Sequence, residues 1–277
     1  MTSVPTLGGG DGSVAALSDD DPVEAYHEAS KLCPSLLSRQ MAGVSRLERS
    51  LALQQAVLRA GKRFPHRPAC ALPAPSFPDV PFEQALRNRR SRRPAEDVCI
   101  SPAALSALLF AASGVTERAM QPMRPDLRTA PSAGGLYPLD VYVAVRRVEG
   151  VPQGLHHYDP DRHALAGLRL GDPASHLAAV LIDPAHTRAA AWVILAASFQ
   201  RSRVKYGLRA FRFVLLEAGH IAQNVLLAAA AFNLAALPIG GFFDHRLDAF
   251  LRLDGLNESA LYLIAVGSRH PRVQADP

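Results

Sequence analysis

The sequence predicts an α+β fold. Three apolar runs read as buried strands: Leu139 to Val148, Trp192 to Phe199 and Leu261 to Val266. Helical patterns lie between and around them, without the strict alternation of a doubly wound sheet. The chain has 277 residues, 48% of them hydrophobic, which is enough for a core in one large domain or two small ones.

The elements run in order along the chain. Residues 1 to 20 are Gly-rich and acidic and read as a flexible tail. They lack the basic and apolar regions of a secretory signal, so the cytoplasm is expected. Asp21-Pro22 is a helix cap with proline in the first turn. Pro22 to Lys62 reads as two helices, the second over Arg46 to Arg59 with Leu47, Leu51, Leu53, Val57 and Leu58 at helical spacing. Phe64 to Pro81 carries six prolines and reads as an extended connection. A boundary is placed there, between an N-terminal segment (21–80) and a main domain (81–277).

In the main domain, Phe82 to Arg89 is a short helix. Ser101-Pro102 caps another through Ala112, and Gly114 stops it. Leu155 to Leu165 is a hairpin turning at Asp159-Pro160, with His156, His157 and His163 on its surface. Val204 to Phe232 reads as one long helix, and Leu237 to Phe242 as a turn. Asn224 to Phe243 contains no charged side chain and approaches the length of a membrane span. Asn224, Asn233 and the Pro238-Ile239-Gly240-Gly241 break argue instead for a buried helix. The stretch Asn224 to Ala236 is too apolar for a free surface, which points to a homodimer.

Net charge +5 permits an anionic partner. Acidic residues are interspersed, and no cationic run alternates with aromatics, so nucleic acid is not expected. Cys33, Cys70 and Cys99 are odd in number and widely spaced, which argues against disulfides and zinc.

Lys205 stands out because only three of the 30 cationic residues are lysine. Arginine is always charged, whereas a lysine amine can be pushed towards neutrality by burial and by neighbours such as Arg201, Arg203, Arg209 and Arg212. Tyr206 adds a phenol. The plain alternative is an arginine-biased composition with a few surviving lysines. Other patterns carry chemistry less specifically. Arg89-Arg90-Ser91-Arg92-Arg93 is a phosphate fork or a solvated basic turn. Arg128-Thr129-Ala130-Pro131-Ser132-Ala133-Gly134-Gly135-Leu136-Tyr137-Pro138 lets backbone approach a flat or anionic ligand, or is an ordinary turn. It is neither a dinucleotide fingerprint nor a Walker loop. His220 is a base or a core histidine. Gly267-Ser268-Arg269 sets an arginine past the last strand.

Taken in order, these pieces resemble the flavin-dependent nitroreductase superfamily. Within it they resemble the SagB-type branch: azoline dehydrogenases of thiazole/oxazole-modified peptide pathways, and oxidase domains of some nonribosomal peptide synthetases. The matching residues are Arg89-Arg90-Ser91, Pro131 to Pro138, Tyr158-Asp159-Pro160, Lys205-Tyr206-Gly207, Glu217 to Asn224, Ile239-Gly240-Gly241-Phe242 and Val266-Gly267. Tyr26 to Lys31 resembles the start of SagB-type proteins. The resemblance covers residue 22 to the end.

It implies a nitroreductase-like α+β fold, with a mixed or antiparallel sheet flanked by helices and a long central helix. It implies FMN bound between two chains of a homodimer, and no metal. Arg89, Arg90, Ser91 and Arg93 would hold phosphate or ribityl, with Arg269 on the phosphate. Pro131, Ser132, Ala133 and Gly134 would line the isoalloxazine. Ile239, Gly240 and Gly241 would lie near its reactive nitrogen, and Gln223 and Asn224 fall in the cofactor-binding set. Lys205 and Tyr206 match the catalytic pair of azoline dehydrogenases. One departure is Gly135-Leu136-Tyr137, where simple nitroreductases often have Asn; this favours the azoline branch and leaves nitro reduction open. The expected function is FMN-dependent oxidation of thiazoline or oxazoline rings in a peptide or carrier-bound substrate, with a cyclodehydratase as a further partner and no role for a membrane. The alternatives are an NAD(P)H-dependent nitro or quinone reductase and a flavin-binding scaffold of a biosynthetic complex.

Overall fold

A computed structural model describes residues 21–59, 61–95, 98–121 and 124–269. The expected tail at 1–20 lies outside them. The strands are β1 (Ala69–Ala71), β2 (Val115–Glu117), β3 (Leu127–Arg128), β4 (Leu139–Val145), β5 (Gly154–Asp159), β6 (Ala164–Leu170), β7 (Ala191–Ser198), β8 (Leu234–Ile239) and β9 (Glu258–Ser268). The helices are α1 (Pro22–Ala29), α2 (Leu37–Gln40), α3 (Ala42–Arg49), α4 (Leu51–Arg59), α5 (Phe82–Asn88), α6 (Pro102–Ser113), α7 (Ala174–Val180), α8 (Phe199–Tyr206), α9 (Ala210–Ala231) and α10 (Asp244–Leu251).

Seven strands form one sheet in the order β1-β6-β5-β4-β7-β9-β8. Every neighbouring pair in it is antiparallel. The central strands are apolar throughout because helices cover both faces. Side-chain alternation sorts them. Val141, Val143, Val193 and Leu195 pack with Leu105 and Leu108 of α6 and with Val214, Ile221 and Val225 of α9. Tyr142, Ala144, Trp192 and Ile194 pack on the other face with Leu177 of α7 and Leu247 and Phe250 of α10. This is the expected α+β architecture.

The α6 boundaries match the sequence: the Ser101 hydroxyl accepts from Ala104 N–H at 3.2 Å, and Gly114 comes directly after the last turn. Other boundaries differ. The N-terminal segment is broken into α1 to α4. Its predicted second helix stops at Ser50, whose extended backbone separates α3 from α4 and whose hydroxyl caps Leu53 N–H. The proline-rich connection contributes β1 to the sheet edge. The predicted long helix is interrupted at Gly207, which has φ 55°, so Lys205 and Tyr206 close α8 rather than open the long helix. Asn233, at φ 55°, ends α9 in the left-handed conformation typical just past a helix. The predicted turn at Leu237 to Phe242 is instead the last residues of β8 and a short stretch leading to α10. Pro238 is tolerated there because β8 is an edge strand.

His156 and His157 are buried, not on the hairpin surface. The rings of Phe64 and Tyr142 pack edge-on against His157. The apolar stretch after Asn224 is also covered by the chain itself: Val225, Leu226, Ala228 and Ala229 are buried against the sheet. Its composition is therefore no evidence for a second copy. The uncovered apolar residues of α9 lie earlier, at Phe211, Leu215 and Leu216. By length and composition the helical run Phe199–Ala231 could cross a membrane, but half of its apolar window is buried in the fold.

Candidate functional site

Lys205 and Tyr206 reach the site from the end of β7. That strand runs antiparallel to β4, so its last residues sit beside the loop that precedes β4. The loop turns at Gly134 and Gly135, both at φ 65°. A Cβ at Gly134 would lie 2.6 Å from Tyr206 Oη and 2.7 Å from Lys205 Nζ. Glycine is therefore required twice, by dihedral and by space. The Lys205 ammonium also lies 5.3 Å from the Tyr206 ring centroid, and Phe213 of α9 packs edge-on against that ring. Sequence reasoning joins Lys205 to Tyr206; the structure adds Gly134 as the surface they share.

Beneath the loop is a buried polar layer that the sequence alone does not reveal. The Ser132 hydroxyl accepts from Tyr137 N–H at 2.9 Å, and Glu217 of α9 is buried nearby. Glu217 is 3% exposed, and burial pushes its carboxyl up to about 7 against the opposing pull of Ser132, Arg128 and Arg201. Arg201 donates to the Tyr137 carbonyl at 2.9 Å and to Asp140 at 2.6 Å. Burial alone would raise the Asp140 carboxyl. The His157 imidazole 3.6 Å away and the charges of Arg201 and Lys62 outweigh it and hold that carboxyl below its usual range. Arg128 stacks over the Tyr137 ring at 4.6 Å and donates to Ser113 at 3.0 Å. A cavity of about 290 Å³ opens behind the loop, with Tyr137, Asp140, His157 and Arg201 in its wall. Neither Lys205 nor Tyr206 lines it.

Glu217 has a visible signal: it is the sole charged residue between Arg212 and Asp244. The ion pair of Asp140 with Arg201 has none, because the partners are 61 residues apart. Of the other expected site residues near the loop, Pro131 is exposed and Ala133 half-buried. Asn224 donates to the Thr129 carbonyl at 3.4 Å, tying α9 to the loop, while Gln223 faces solvent.

The arginine set gathers elsewhere. Ser91 bridges to Ala236 in β8, and Ala95 N–H donates to the Ser268 carbonyl at 2.8 Å. Arg89 to Arg93 thus run along the sheet edge at Ala236 of β8. Arg93 pairs with Asp183 at 2.9 Å. Arg90 folds back onto the carbonyls of Arg87 and Arg89. Arg269 donates to the Leu234 carbonyl at 3.2 Å, at the end of β9. Register fixes the separation. Val266 pairs with Ala191 at one end of β7, and Glu258 pairs with Ser198 at the other. At roughly 3.3 Å per residue, the eight residues of β7 span about 26 Å. Within one chain, Arg269 and the Lys205–Gly134 pair lie at opposite ends of that strand.

An antiparallel sheet between helical layers, with this loop and this arginine edge, defines a class. Residues 86–268 match the model of the nitroreductase family, and the chain belongs to that family. Its members are oxidoreductases that generally use FMN. A Methanocaldococcus jannaschii protein described as a nitroreductase is 36% identical over 199 residues, which cover 70% of this chain and 94% of that protein. The trifolitoxin-processing protein TfxB of Rhizobium leguminosarum bv. trifolii is 26% identical over 145 residues, 50% of this chain and 39% of TfxB. Among solved structures, one described as a nitroreductase of Anabaena variabilis superposes with TM-score 0.66 at 26% identity, covering 88% of this chain and 45% of that one. A chain of the Escherichia coli microcin synthetase McbBCD complex, solved with truncated pro-MccB17 bound, shares the fold: TM-score 0.54, 20% identity, 90% of this chain and 92% of that one. The chain thus spans less than half of the Anabaena chain and of TfxB.

Proposed function

We propose that this protein is an FMN-dependent dehydrogenase of the SagB type, oxidising thiazoline or oxazoline rings in a peptide or carrier-bound substrate to thiazoles or oxazoles. One observation carries the reading: Lys205 Nζ and Tyr206 Oη converge on the bare backbone of Gly134, where even a methyl group would collide with both. An amine and a phenol held against exposed backbone suit proton removal from a ring lying there. The relationship to TfxB, whose name says that it processes trifolitoxin, points to the same substrate class.

The residues present fit FMN. Arg89, Arg93 and Arg269, with Ser91, offer charged donors and a hydroxyl along one edge, suited to a single phosphate. Gly240 and Gly241, just past the end of β8, present exposed backbone, and Gly134 does so at the loop. When bound, FMN supplies the two-electron acceptor for the hydride that leaves the azoline ring. Lys205 takes the proton from ring carbon at Nζ. Tyr206 orients that amine and closes one side of it. The two groups of residues lie at opposite ends of β7, so the reading includes a homodimer in which the arginine edge of one copy meets the loop of its partner. A cyclodehydratase that makes the azoline is the natural further partner.

The test uses flavin-loaded protein and an azoline-bearing peptide, with mass spectrometry as the readout. Wild type should remove two hydrogens. Lys205→Arg should retain FMN and lose that mass change, because arginine keeps the charge but does not release its proton at ordinary pH. Turnover by Lys205→Arg at the wild-type rate overturns the role of Lys205, and protein that takes up no FMN overturns the whole reading. A second reading, an NAD(P)H-dependent nitro or quinone reductase, is favoured by the 36% identity to the M. jannaschii protein. Rapid bleaching of the flavin by reduced nicotinamide would select it.

A further inference from the structure

We propose that Gly43, on α3 of the N-terminal segment, is a positioning residue for the Lys205–Tyr206 pair. What the pair does rests on the proposed function; the contact with Gly43 stands without it.

Lys205 and Tyr206 are the last two residues of α8, and Gly207 turns the chain out of that helix. Their side chains meet Gly134, and the backbone of the same turn meets α3. A Cβ on Gly43 would lie 2.5 Å from the Lys205 carbonyl oxygen, 2.6 Å from that of Val204 and 2.9 Å from the Lys205 carbonyl carbon. The two glycines differ in what they touch. At Gly134 the crowded atoms end flexible side chains, which can retreat. At Gly43 they belong to the backbone of the last turn of α8, which cannot retreat without carrying Lys205 with it. Gly43 lies inside α3, where alanine is ordinarily the better helix former. Close approach of two backbones, and not a special dihedral, is what requires glycine there.

Helix α1 secures the chain just past the pair. Arg209 donates to the Ser30 carbonyl at 3.0 Å. Arg212 donates to the Ser30 hydroxyl at 2.8 Å and to the His27 carbonyl at 2.6 Å. These oxygens lie at the C-terminal end of α1, where carbonyls lack helical partners and cations are favoured. Ser30 is 3% exposed, although no residue within α1 itself is buried. The Tyr26 ring packs edge-on against Phe211, with centroids 5.7 Å apart. The run from Tyr26 to Lys31 therefore docks on the start of α9. Residues 204 and 205 are held from α3 and residues 209 to 212 from α1, with the end of the Lys205–Tyr206 pair between the two holds. A plain packing contact at Gly43 predicts lost stability and no change at the lysine amine. A positioning contact predicts a local change there.

The scarcity of lysine supplies the readout. Full-length protein isotope-labelled at lysine Cε gives NMR signals from Lys31, Lys62 and Lys205 alone, assigned by single Lys→Arg substitutions. The spectrum is recorded without FMN or azoline, so its failure is separable from failure of the proposed function. Gly43→Ala should move the Lys205 signal, whose surroundings include the Tyr206 ring 5.3 Å away, and leave that of Lys62, beside Tyr142, in place. The urea midpoint should fall, whereas alanine in an uncrowded helix would raise it. With FMN and an azoline peptide supplied, kcat should fall about tenfold or more while KM stays within about twofold, the pattern of a displaced catalytic group. Where Gly43→Ala does not fold, Arg212→Ala serves, because it frees the end of α1 without adding bulk; it should move the Lys31 and Lys205 signals together. A Lys205 signal that stays at its wild-type position in Gly43→Ala, or in Arg212→Ala where that variant stands in, overturns the proposal. So does a Lys205 signal that moves only together with that of Lys62, which marks general loosening of the fold.

Discussion

Gly134→Ala tests the core of the site most directly. Alanine at φ 65° costs about 1–2 kcal/mol in backbone conformation. The new Cβ would lie 2.6 Å from Tyr206 Oη and 2.7 Å from Lys205 Nζ, and ordinary contact begins at 3.4 Å. The phenol must therefore retreat by at least 3.4 − 2.6 = 0.8 Å and the amine by 3.4 − 2.7 = 0.7 Å. Both atoms end flexible side chains, so the retreat adds little to the stability loss. It matters for chemistry, where a displacement of about 1 Å can reduce rate roughly 100-fold. The expected outcome is a stability loss of about 1–2 kcal/mol in urea unfolding, with azoline oxidation reduced about 10- to 100-fold at full FMN occupancy. A variant that loses the stability and turns over at the wild-type rate would show that Gly134 does not set the pair, and the reasoning from this contact would fail.

Other perturbations have equally definite outcomes. Global stability should fall as pH rises, because the Glu217 carboxyl is raised in the folded protein: the folded state binds more protons between about 4.5 and 7, so the contribution is complete below 4.5 and lost through 7. The difference of 7 − 4.5 = 2.5 pH units corresponds to an upper limit of about 3 kcal/mol, and urea midpoints at pH 5 and pH 8 should draw closer in Glu217→Gln. Asp140→Asn should destabilise by about 3–5 kcal/mol, because it leaves the buried Arg201 without its counter-ion; a loss under about 1 kcal/mol in the same assay would contradict the buried pairing. Leu216→Asp, on the uncovered face of α9, should yield a monomer by light scattering that no longer holds FMN; a monomer with full flavin occupancy would place the cofactor within one chain.

The fold was legible where both faces of a strand are buried. Val141 to Val145 and Trp192 to Ala197 are apolar regardless of register, so no tertiary knowledge was needed. It was illegible where local preference and tertiary structure disagree. Nothing local in Val204 to Phe232 forbids a continuous helix; the positive φ of Gly207 is a tertiary outcome. Leu234 to Ile239 continues an alanine-rich helix in composition, and only Asn233 signals the stop. For the site, Lys205 was visible because lysine is rare in this chain, and Gly134 because two glycines come after a Pro-Ser-Ala run. Glu217 was visible as a solitary charge, but nothing local in the sequence shows that the fold buries it. The stacking of Arg128 on Tyr137 and the bond from Arg201 to Asp140 depend on how β4 meets α8, which composition does not carry.

The rarity of lysine acquires a physical reason from the structure. Among the described residues, Lys31 pairs with Glu28 and Lys62 with Glu258, as arginines in their places also would. Lys205 has no carboxylate within ion-pairing distance among those residues. It faces Gly134 and the Tyr206 ring instead. Two properties distinguish an amine from a guanidinium at this position. One is proton release, since only the amine can lose its proton at ordinary pH. The other is size, since a compact ammonium fits beside backbone where a planar fork of three nitrogens needs more room. Lys205→Arg changes both, and Gly134→Ala changes only the room. If proton transfer is the reason for lysine, Lys205→Arg should be inactive while Gly134→Ala retains a residual rate with an unaltered pH profile. If space is the reason, the two variants should fail alike, and the arginine should also lower FMN occupancy by displacing the loop.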